Sequence, residues 1–283
     1  MLRVRVISAI VGLILLGVFV LSNQIVLGVG VFLLAIAGMY EFYNAVSNAG
    51  YRPIRTIGYI SCVPILFMGL NGVTKKIDNY FDLFKSINYF SFGIFVVVLV
   101  LFAFIVFLHD KYNINDIALT IFGAAYVAFL FSFIVLTRNL ENGFFYIWLI
   151  FIGAFVTDTS AYFAGRMFGR HKILPEISPK KTVEGCLGGI VGCIAITVLY
   201  GVILDRYVGD KLNISLYHFV IIGVLNGVIS QIGDWAASAI KRYVKIKDYG
   251  KIMPGHGGVL DRFDSILFIA PVVYFYISFI ILG

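Results

Sequence analysis

Long apolar runs follow one another along the whole chain and are separated by short polar segments. A membrane-spanning helix needs about 20 consecutive apolar residues, and on that basis the sequence predicts about nine spans. These lie near Ile7–Ser22, Ile25–Val46, Ile57–Val73, Ile87–Leu108, Ile117–Leu136, Gly143–Phe168, Glu184–Leu204, Leu216–Val244 and Gly257–Leu282. The runs are continuous rather than alternating, which is typical of helices and not of barrel strands. The sequence therefore predicts an all-α, polytopic integral membrane protein.

The composition excludes the other broad classes of protein. Of the 283 residues, 60% are apolar and 13% are charged, against about 25% charged residues in soluble proteins. Such a chain has too much apolar surface for a soluble domain and too little polarity for disorder. The run Ile7–Leu21 follows two arginines as a signal peptide does, but no small-residue cleavage site ends it. We therefore interpret it as the first span.

The distribution of basic residues predicts the orientation. With a cytoplasmic N-terminus, sixteen of the 22 lysines and arginines fall on the cytoplasmic side, as the positive-inside rule requires. This favours an inner-membrane protein with its N-terminus in the cytoplasm and its C-terminus outside. The same rule accounts for the net charge of +7, and the chain has no aromatic-basic RNA motif, so no nucleic acid partner is expected.

Polar chemistry is concentrated in the second half of the chain. Residues 1–140 are almost featureless apolar sequence and are predicted to form a scaffold of helices that includes dimer contacts. Residues 141–283 are predicted to carry the catalytic site. Glu41, near the end of the second span, is expected at the membrane interface. Glycines four apart could mark helix contacts within or between chains: Gly165/Gly169, Gly185/Gly189, Gly188/Gly192 and Gly223/Gly227.

Four aspartates fall inside or at the ends of the predicted spans: Asp158, Asp234, Asp261 and Asp264. A carboxylate at the bilayer centre costs at least about 2.5 kcal/mol, so each needs a partner. Asp261 and Asp264 share one helix face, and a short loop joins their span to that of Asp234. Three carboxylates could therefore converge at the cytoplasmic end and bind a hard divalent cation. The alternative is that each caps a helix or pairs with Arg242 or Arg262.

The loop between the last two spans combines cations with a glycine-rich turn. Lys241, Arg242 and Lys247 offer charge to phosphates, and the turn 254–258 precedes a helix N-terminus, where backbone N–H groups favour anions. This predicts a polyphosphate and metal site without a P-loop. The alternative is a polybasic loop on anionic lipid head groups. A lone histidine such as His256 is more often a structural donor than a base.

A second polar block precedes the seventh span. Asp158, Tyr162 and Arg166 lie four apart on one helix face, and the turn 178–182 carries Lys180 and Lys181. These lysines could hold a second phosphate. Thr182 is favoured as the cap of the following helix.

The segment from Ser238 to Asp264 resembles the motif of the phosphatidate cytidylyltransferases, also called CDP-diacylglycerol synthases. The matching residues are Ser238, Lys241-Arg242, Lys247-Asp248, Pro254-Gly255-His256-Gly257-Gly258 and Asp261-Arg262-Phe263-Asp264. Met253 stands where Leu, Ile or Phe is expected, and Cys186 stands where Ser is expected. The blocks at 158–169 and 178–185 also resemble this family, whereas the first half matches only as a hydrophobic bundle.

The resemblance implies a reaction. Membrane enzymes of this family convert CTP and phosphatidic acid into CDP-diacylglycerol and pyrophosphate at the cytoplasmic face, require Mg²⁺ and are usually homodimers. On this basis Asp234 and Asp261 are assigned as metal ligands, with Asp264 as a third ligand or its partner, and a second cation is open. The nucleotide phosphates are assigned to Lys241, Arg242, Lys247 and Arg262, the pyrophosphate to the backbone of His256, Gly257 and Gly258, and the lipid phosphate to Ser178, Lys180 and Lys181. Asp158 is assigned to substrate binding.

Three rival functions differ in their sequence features. An ion-coupled transporter would also hold intramembrane aspartates, but transporters tend to show repeats and broken helices, and neither is seen here. A CDP-alcohol phosphotransferase has a different aspartate spacing. A non-catalytic lipid-binding protein leaves the aspartates unexplained.

Overall fold

The computed structural model describes residues 2–71, 87–209, 212 and 214–283, and they form helices joined by loops. In chain order the helices are α1 (Leu2–Leu21), α2 (Gln24–Asn48), α3 (Arg55–Asn71), α4 (Ile87–Phe107), α5 (Ile114–Asn139), α6 (Gly143–Phe168), α7 (Val183–Val208), α8 (Leu216–Tyr243) and α9 (Leu260–Ile281). The described residues contain no strand, only two isolated bridges, Lys172 with Thr182 and Met253 with Gly257. The predicted all-α class is confirmed.

Helix starts follow from local capping residues. Asn23 accepts a hydrogen bond from Val26 N at 2.9 Å at the start of α2, and Thr182 accepts one from Gly185 N at 3.2 Å at the start of α7. At α5, Asn113 and Asp116 cap each other's backbone N–H groups. These bonds satisfy N–H groups that have no partner within the helix, and the favoured capping role of Thr182 is confirmed.

Six helices of the described chain are long and apolar enough to cross a membrane, namely α2, α5, α6, α7, α8 and α9. The other three contain shorter apolar stretches, Ile10–Leu21, Arg55–Leu70 and Phe95–Phe107. Each predicted span coincides with one of these helices, although the end of the third, at Val73, lies outside the described residues. A polytopic membrane protein is therefore confirmed, whereas the number nine and the cytoplasmic N-terminus stay predictions.

Glycines bring α6, α7 and α8 into close contact. A Cβ on Gly223 or Gly227 of α8 would lie 2.7 or 2.8 Å from the Cα of Ile194 or Ile190 in α7. A Cβ on Gly189 of α7 would lie 3.1 Å from the Ala161 Cβ of α6. Small residues permit such approaches, and packing of this kind holds helices together in lipid. These predicted glycine contacts therefore lie within the chain.

One buried core connects the two halves of the chain. It extends from Val20 of α1 to Ile277 of α9. Leu260, the first residue of α9, packs beside Gly38 of α2, and the rings of Phe131 and Phe263 lie 5.4 Å apart. The first turn of α9 is thus fixed against helices from residues 1–140.

Candidate active site

The polar residues of the last helices surround the segment 244–259 that joins α8 to α9, called here the signature loop. It borders a cavity of about 660 Å³. The cavity is lined by Lys247, Asp248, Gly250, Lys251, Met253, Pro254, Gly255, His256, Gly257 and Arg262. Three of these side chains are cationic, so the cavity suits an anionic ligand.

Asp261 ties the signature loop to α9. Its Oδ2 accepts hydrogen bonds from Tyr249 N at 2.8 Å and from Gly258 N at 2.9 Å. Its Oδ1 lies 2.8 Å from Lys241 Nζ of α8, and the side chain is only 2% exposed. A buried carboxylate is stabilised by a paired cation and by backbone donors. Asp261 therefore ties residues 249 and 258 of the loop to α8 through Lys241.

Tyr249 anchors the same loop from inside. Its hydroxyl donates to the carbonyl oxygen of Ala237 in α8 at 3.4 Å. Burial raises the pKa of the Tyr249 phenol above its ordinary value, so the hydroxyl stays a neutral donor. Gly250, which lines the cavity, therefore follows directly after a residue that is hydrogen-bonded to α8.

Glu41 of α2 is a site residue that the sequence did not reveal. It is 2% exposed, and its two carboxylate oxygens accept hydrogen bonds from Val259 N and Leu260 N, each at 2.9 Å. The side chain is enclosed by protein, and its expected position at the membrane interface stays a prediction. The only available signal was a lone acid in an apolar helix, and its partners lie more than 200 residues further along the chain.

Asp158, Asp234 and Asp264 form a second group of acids. Gly233 packs against α9, since a Cβ there would lie 2.7 Å from the carbonyl oxygen of Asp264. Both Asp158 and Asp234 are close enough to Asp264 to interact with it electrostatically. Asp234 also forms an ion pair with Lys181 from the loop before α7. Three helices therefore bring like charges together near the signature loop.

The acids suit a hard cation in chemistry, because carboxylate oxygens are the ligands that Mg²⁺ prefers. Their present partners are lysines: Lys181 for Asp234 and Lys241 for Asp261. Over the described ranges, no group of three or more His, Cys, Asp or Glu side chains is arranged so that it could hold a metal ion. The predicted metal ligands Asp234, Asp261 and Asp264 therefore stay predictions, and the pairing partners are lysines rather than Arg242 or Arg262.

The predicted phosphate-binding residues are only partly gathered at the cavity. Lys247, Arg262, His256 and Gly257 line it. Arg242 instead donates to the carbonyl oxygen of Ile177 at 3.4 Å. The N–H of Gly258 is engaged by Asp261, so it is not available to a phosphate in this arrangement.

His256 is held by the first helix. Its Nδ1 lies 2.8 Å from Ser8 Oγ of α1, and the same hydroxyl lies 3.0 Å from the carbonyl oxygen of Pro254. This favours an orienting role for His256 over that of a free base, since one ring nitrogen is already engaged.

The loop between α6 and α7 forms the other side of the site. Glu184 accepts backbone hydrogen bonds from Arg170 at 3.0 Å and from His171 at 3.3 Å, and lies 2.6 Å from His171 Nδ1. These bonds and the Lys172–Thr182 bridge fold the loop back on the start of α7. Lys180 is exposed, Ser178 is half-buried, and Lys181 points to Asp234. This basic loop thus meets the acidic group through Lys181.

Together these features define a polytopic membrane protein with an anion-binding cavity beside clustered acids. The comparison with known families then identifies its class: the cytidylyltransferase family matches residues 3–280, and the chain belongs to this family. It is a nucleotidyltransferase, as the sequence predicted.

Similar proteins carry a common name. The phosphatidate cytidylyltransferase of Staphylococcus saprophyticus is 33% identical over 271 residues, which cover 96% of this chain and 97% of that protein. The phosphatidate cytidylyltransferase of Bacillus subtilis is 35% identical over 194 residues, or 68% of this chain and 70% of that protein. These comparisons confirm the resemblance drawn from the sequence, and they do not support the transporter alternative.

Proposed function

We propose that this protein transfers the cytidylyl group of CTP to phosphatidic acid, giving CDP-diacylglycerol and pyrophosphate. The observation that carries the proposal is the cationic cavity of the signature loop, which lies next to the acids of α8 and α9. The names of the relatives supply the substrates. An enzyme built almost wholly of apolar helices suits a substrate that already resides in the bilayer.

The chemistry requires positioning more than a strong base. A phosphate oxygen of phosphatidic acid forms a bond to the α-phosphorus of CTP, and the bond from that phosphorus to pyrophosphate breaks in line. The nucleophile is already an anion, so the main barrier is the crowding of negative charge. Preorganised cations relieve such crowding at the transition state.

The two basic loops divide the phosphates between them in this proposal. Lys247 and Arg262, which line the cavity, bind the nucleotide phosphates together with Lys241 and Arg242. The loop before α7 binds the lipid phosphate through Ser178, Lys180 and Lys181. Asp158 of α6 contributes to the substrate site. His256 and Gly257 border the position of the leaving pyrophosphate.

Mg²⁺ is the proposed cofactor, held by Asp234, Asp261 and Asp264, and a second cation is compatible with so many carboxylates. When bound, it neutralises charge on the phosphates. Lys181 and Lys241 neutralise two of these carboxylates in the structure. Release of the carboxylates to a cation would free both ammonium groups for phosphate, so nucleotide and metal are expected to bind cooperatively.

The proposal includes a location and an assembly. The protein resides in the inner membrane with both basic loops in the cytoplasm, where CTP is available, and acts as a homodimer. The bias of lysine and arginine towards the predicted cytoplasmic side supports this orientation.

The test is a reconstituted reaction. Protein purified in detergent receives CTP and Mg²⁺ with phosphatidic acid or, in a parallel sample, diacylglycerol, and products are identified by mass spectrometry. We expect CDP-diacylglycerol only with phosphatidic acid, and none when a chelator removes the divalent cation. Failure to form this product with accessible phosphatidic acid would contradict the proposal.

A further inference from the structure

Glu41 connects the first half of the chain to the signature loop. It lies on α2, yet both of its carboxylate oxygens accept backbone N–H groups at the start of α9, from Val259 and Leu260. The carboxylate is 2% exposed, and no cation in the described structure pairs with it. Its bonding partners are therefore the backbone donors and the positive end of the α9 helix dipole.

Two glycines of the signature loop pack directly on this carboxylate. A Cβ on Gly250 or on Gly258 would overlap the Glu41 carboxylate oxygens. These glycines flank residues 251–257 of the loop. The same side chain thus contacts both ends of that segment.

Asp261 binds the loop at residues next to those that Glu41 contacts. It accepts the N–H groups of Tyr249 and Gly258, whereas Glu41 contacts Gly250 and accepts from Val259. Two carboxylates, one from α2 and one from α9, therefore hold residues 249–250 and 258–259 in place. These two points are called here the neck of the loop. Between these points lie residues 251–257, six of which line the cavity.

We propose that Glu41 is a positioning residue for the nucleotide: it fixes the neck of the signature loop so that residues 251–257 form the wall that receives CTP. The proposal rests on the proposed function. Glu41 touches no substrate. It acts through the backbone of Gly250, Gly258 and the first turn of α9.

The first test compares Glu41→Gln with Asp116→Asn. Glutamine keeps the size of the side chain but presents an amide donor to one backbone N–H. Asp116 is a matched control, because it is also 2% exposed and accepts backbone N–H groups, from Arg52 at 2.6 Å and Asn113 at 2.9 Å, away from the loop. We expect Glu41→Gln to raise KM for CTP about tenfold while KM for phosphatidic acid stays within about twofold. Asp116→Asn should leave both constants near wild type. Wild-type constants in Glu41→Gln, or equal changes in both variants, would overturn the proposal.

The second test uses the contact with Gly250. The φ angle of Gly250 is compatible with alanine, so Gly250→Ala adds a methyl group against Glu41 without straining the backbone. It should raise KM for CTP, and the increase should be smaller in a Glu41→Asp background, where the acid is one methylene shorter. Additive effects of the two substitutions would contradict a direct coupling.

A third measurement does not depend on the reaction. Lys251 is exposed, and trypsin cleavage after it reports on the order of the loop. Glu41→Gln should be cleaved at least about fivefold faster than wild type, and Asp116→Asn at the wild-type rate. Equal cleavage rates in wild type and Glu41→Gln would refute the positioning role of Glu41. Absence of cytidylyl transfer in the wild type would refute the proposed function instead, while the cleavage result would still decide the role of Glu41.

Discussion

Individual carboxylates have different roles in this protein, and each role follows from the groups that surround the side chain. Asp261 and Glu41 accept backbone N–H groups and shape the signature loop. Asp234 pairs with Lys181 next to Asp158 and Asp264. Glu41 thus has a purely positional role, whereas Asp261 also belongs, with Asp234 and Asp264, to the acids that are proposed to hold the cation.

Asp234→Asn should therefore raise the requirement for Mg²⁺. The variant removes one charge from the acidic group, and we expect the Mg²⁺ concentration for half-maximal rate to rise at least about tenfold. Rate measured against Mg²⁺ concentration at saturating CTP tests this. Asp110→Asn, at an exposed residue, is the control. An unchanged Mg²⁺ dependence in Asp234→Asn would remove this residue from the cation site.

The two basic loops can be distinguished by single lysines. Lys247 lines the cavity and Lys180 is exposed on the other loop. Lys247→Ala should raise KM for CTP about five- to tenfold, and Lys180→Ala should do the same for phosphatidic acid, because each loses one charge contact to phosphate. Steady-state kinetics with each substrate varied in turn measure both constants. The reverse pattern would exchange the assignments of the loops.

At the scale of helices, long apolar runs determine where each helix lies along the sequence, and small residues determine where two helices come into close contact. The predicted spans coincide with helices because a run of that length has no other stable form in lipid. The glycines of α7 and α8 could be placed at an interface from their spacing, but not assigned to a partner. That partner depends on which helices become neighbours, and the structure shows it to be the preceding helix of the same chain.

Gly227→Val should destabilise the α7–α8 contact. Even a Cβ at this position would lie 2.8 Å from the Cα of Ile190, so the valine side chain would overlap the α7 backbone. Such overpacking costs about 1–3 kcal/mol. We expect a lower thermal unfolding midpoint in detergent. Gly12→Val is the control, since a Cβ at Gly12 meets nothing within 4 Å. Equal midpoints for the two variants would argue against the close contact.

At the scale of the whole molecule, the candidate active site draws on both halves of the chain, since Glu41 of α2 binds the start of α9. The motif of the signature loop was visible in the sequence because its residues lie close together along the chain. Glu41 was not, because more than 200 residues separate it from Val259 and no local pattern marks a carboxylate that caps a distant helix. The lysine partners of Asp234 and Asp261 were missed for a related reason: sequence shows that a buried acid needs a partner, but not which of several cations the fold brings to it.

The most direct test follows the α-phosphate of CTP. Purified wild type and Asp261→Asn receive CTP labelled at either the α- or the γ-phosphate, with phosphatidic acid and Mg²⁺. The wild type should place the α label in lipid and the γ label in pyrophosphate. Asp261→Asn should insert and purify normally but lose at least about 100-fold in rate, because a buried charge-assisted network is broken. Label from the γ-phosphate in lipid, or near-normal turnover by Asp261→Asn, would contradict the account.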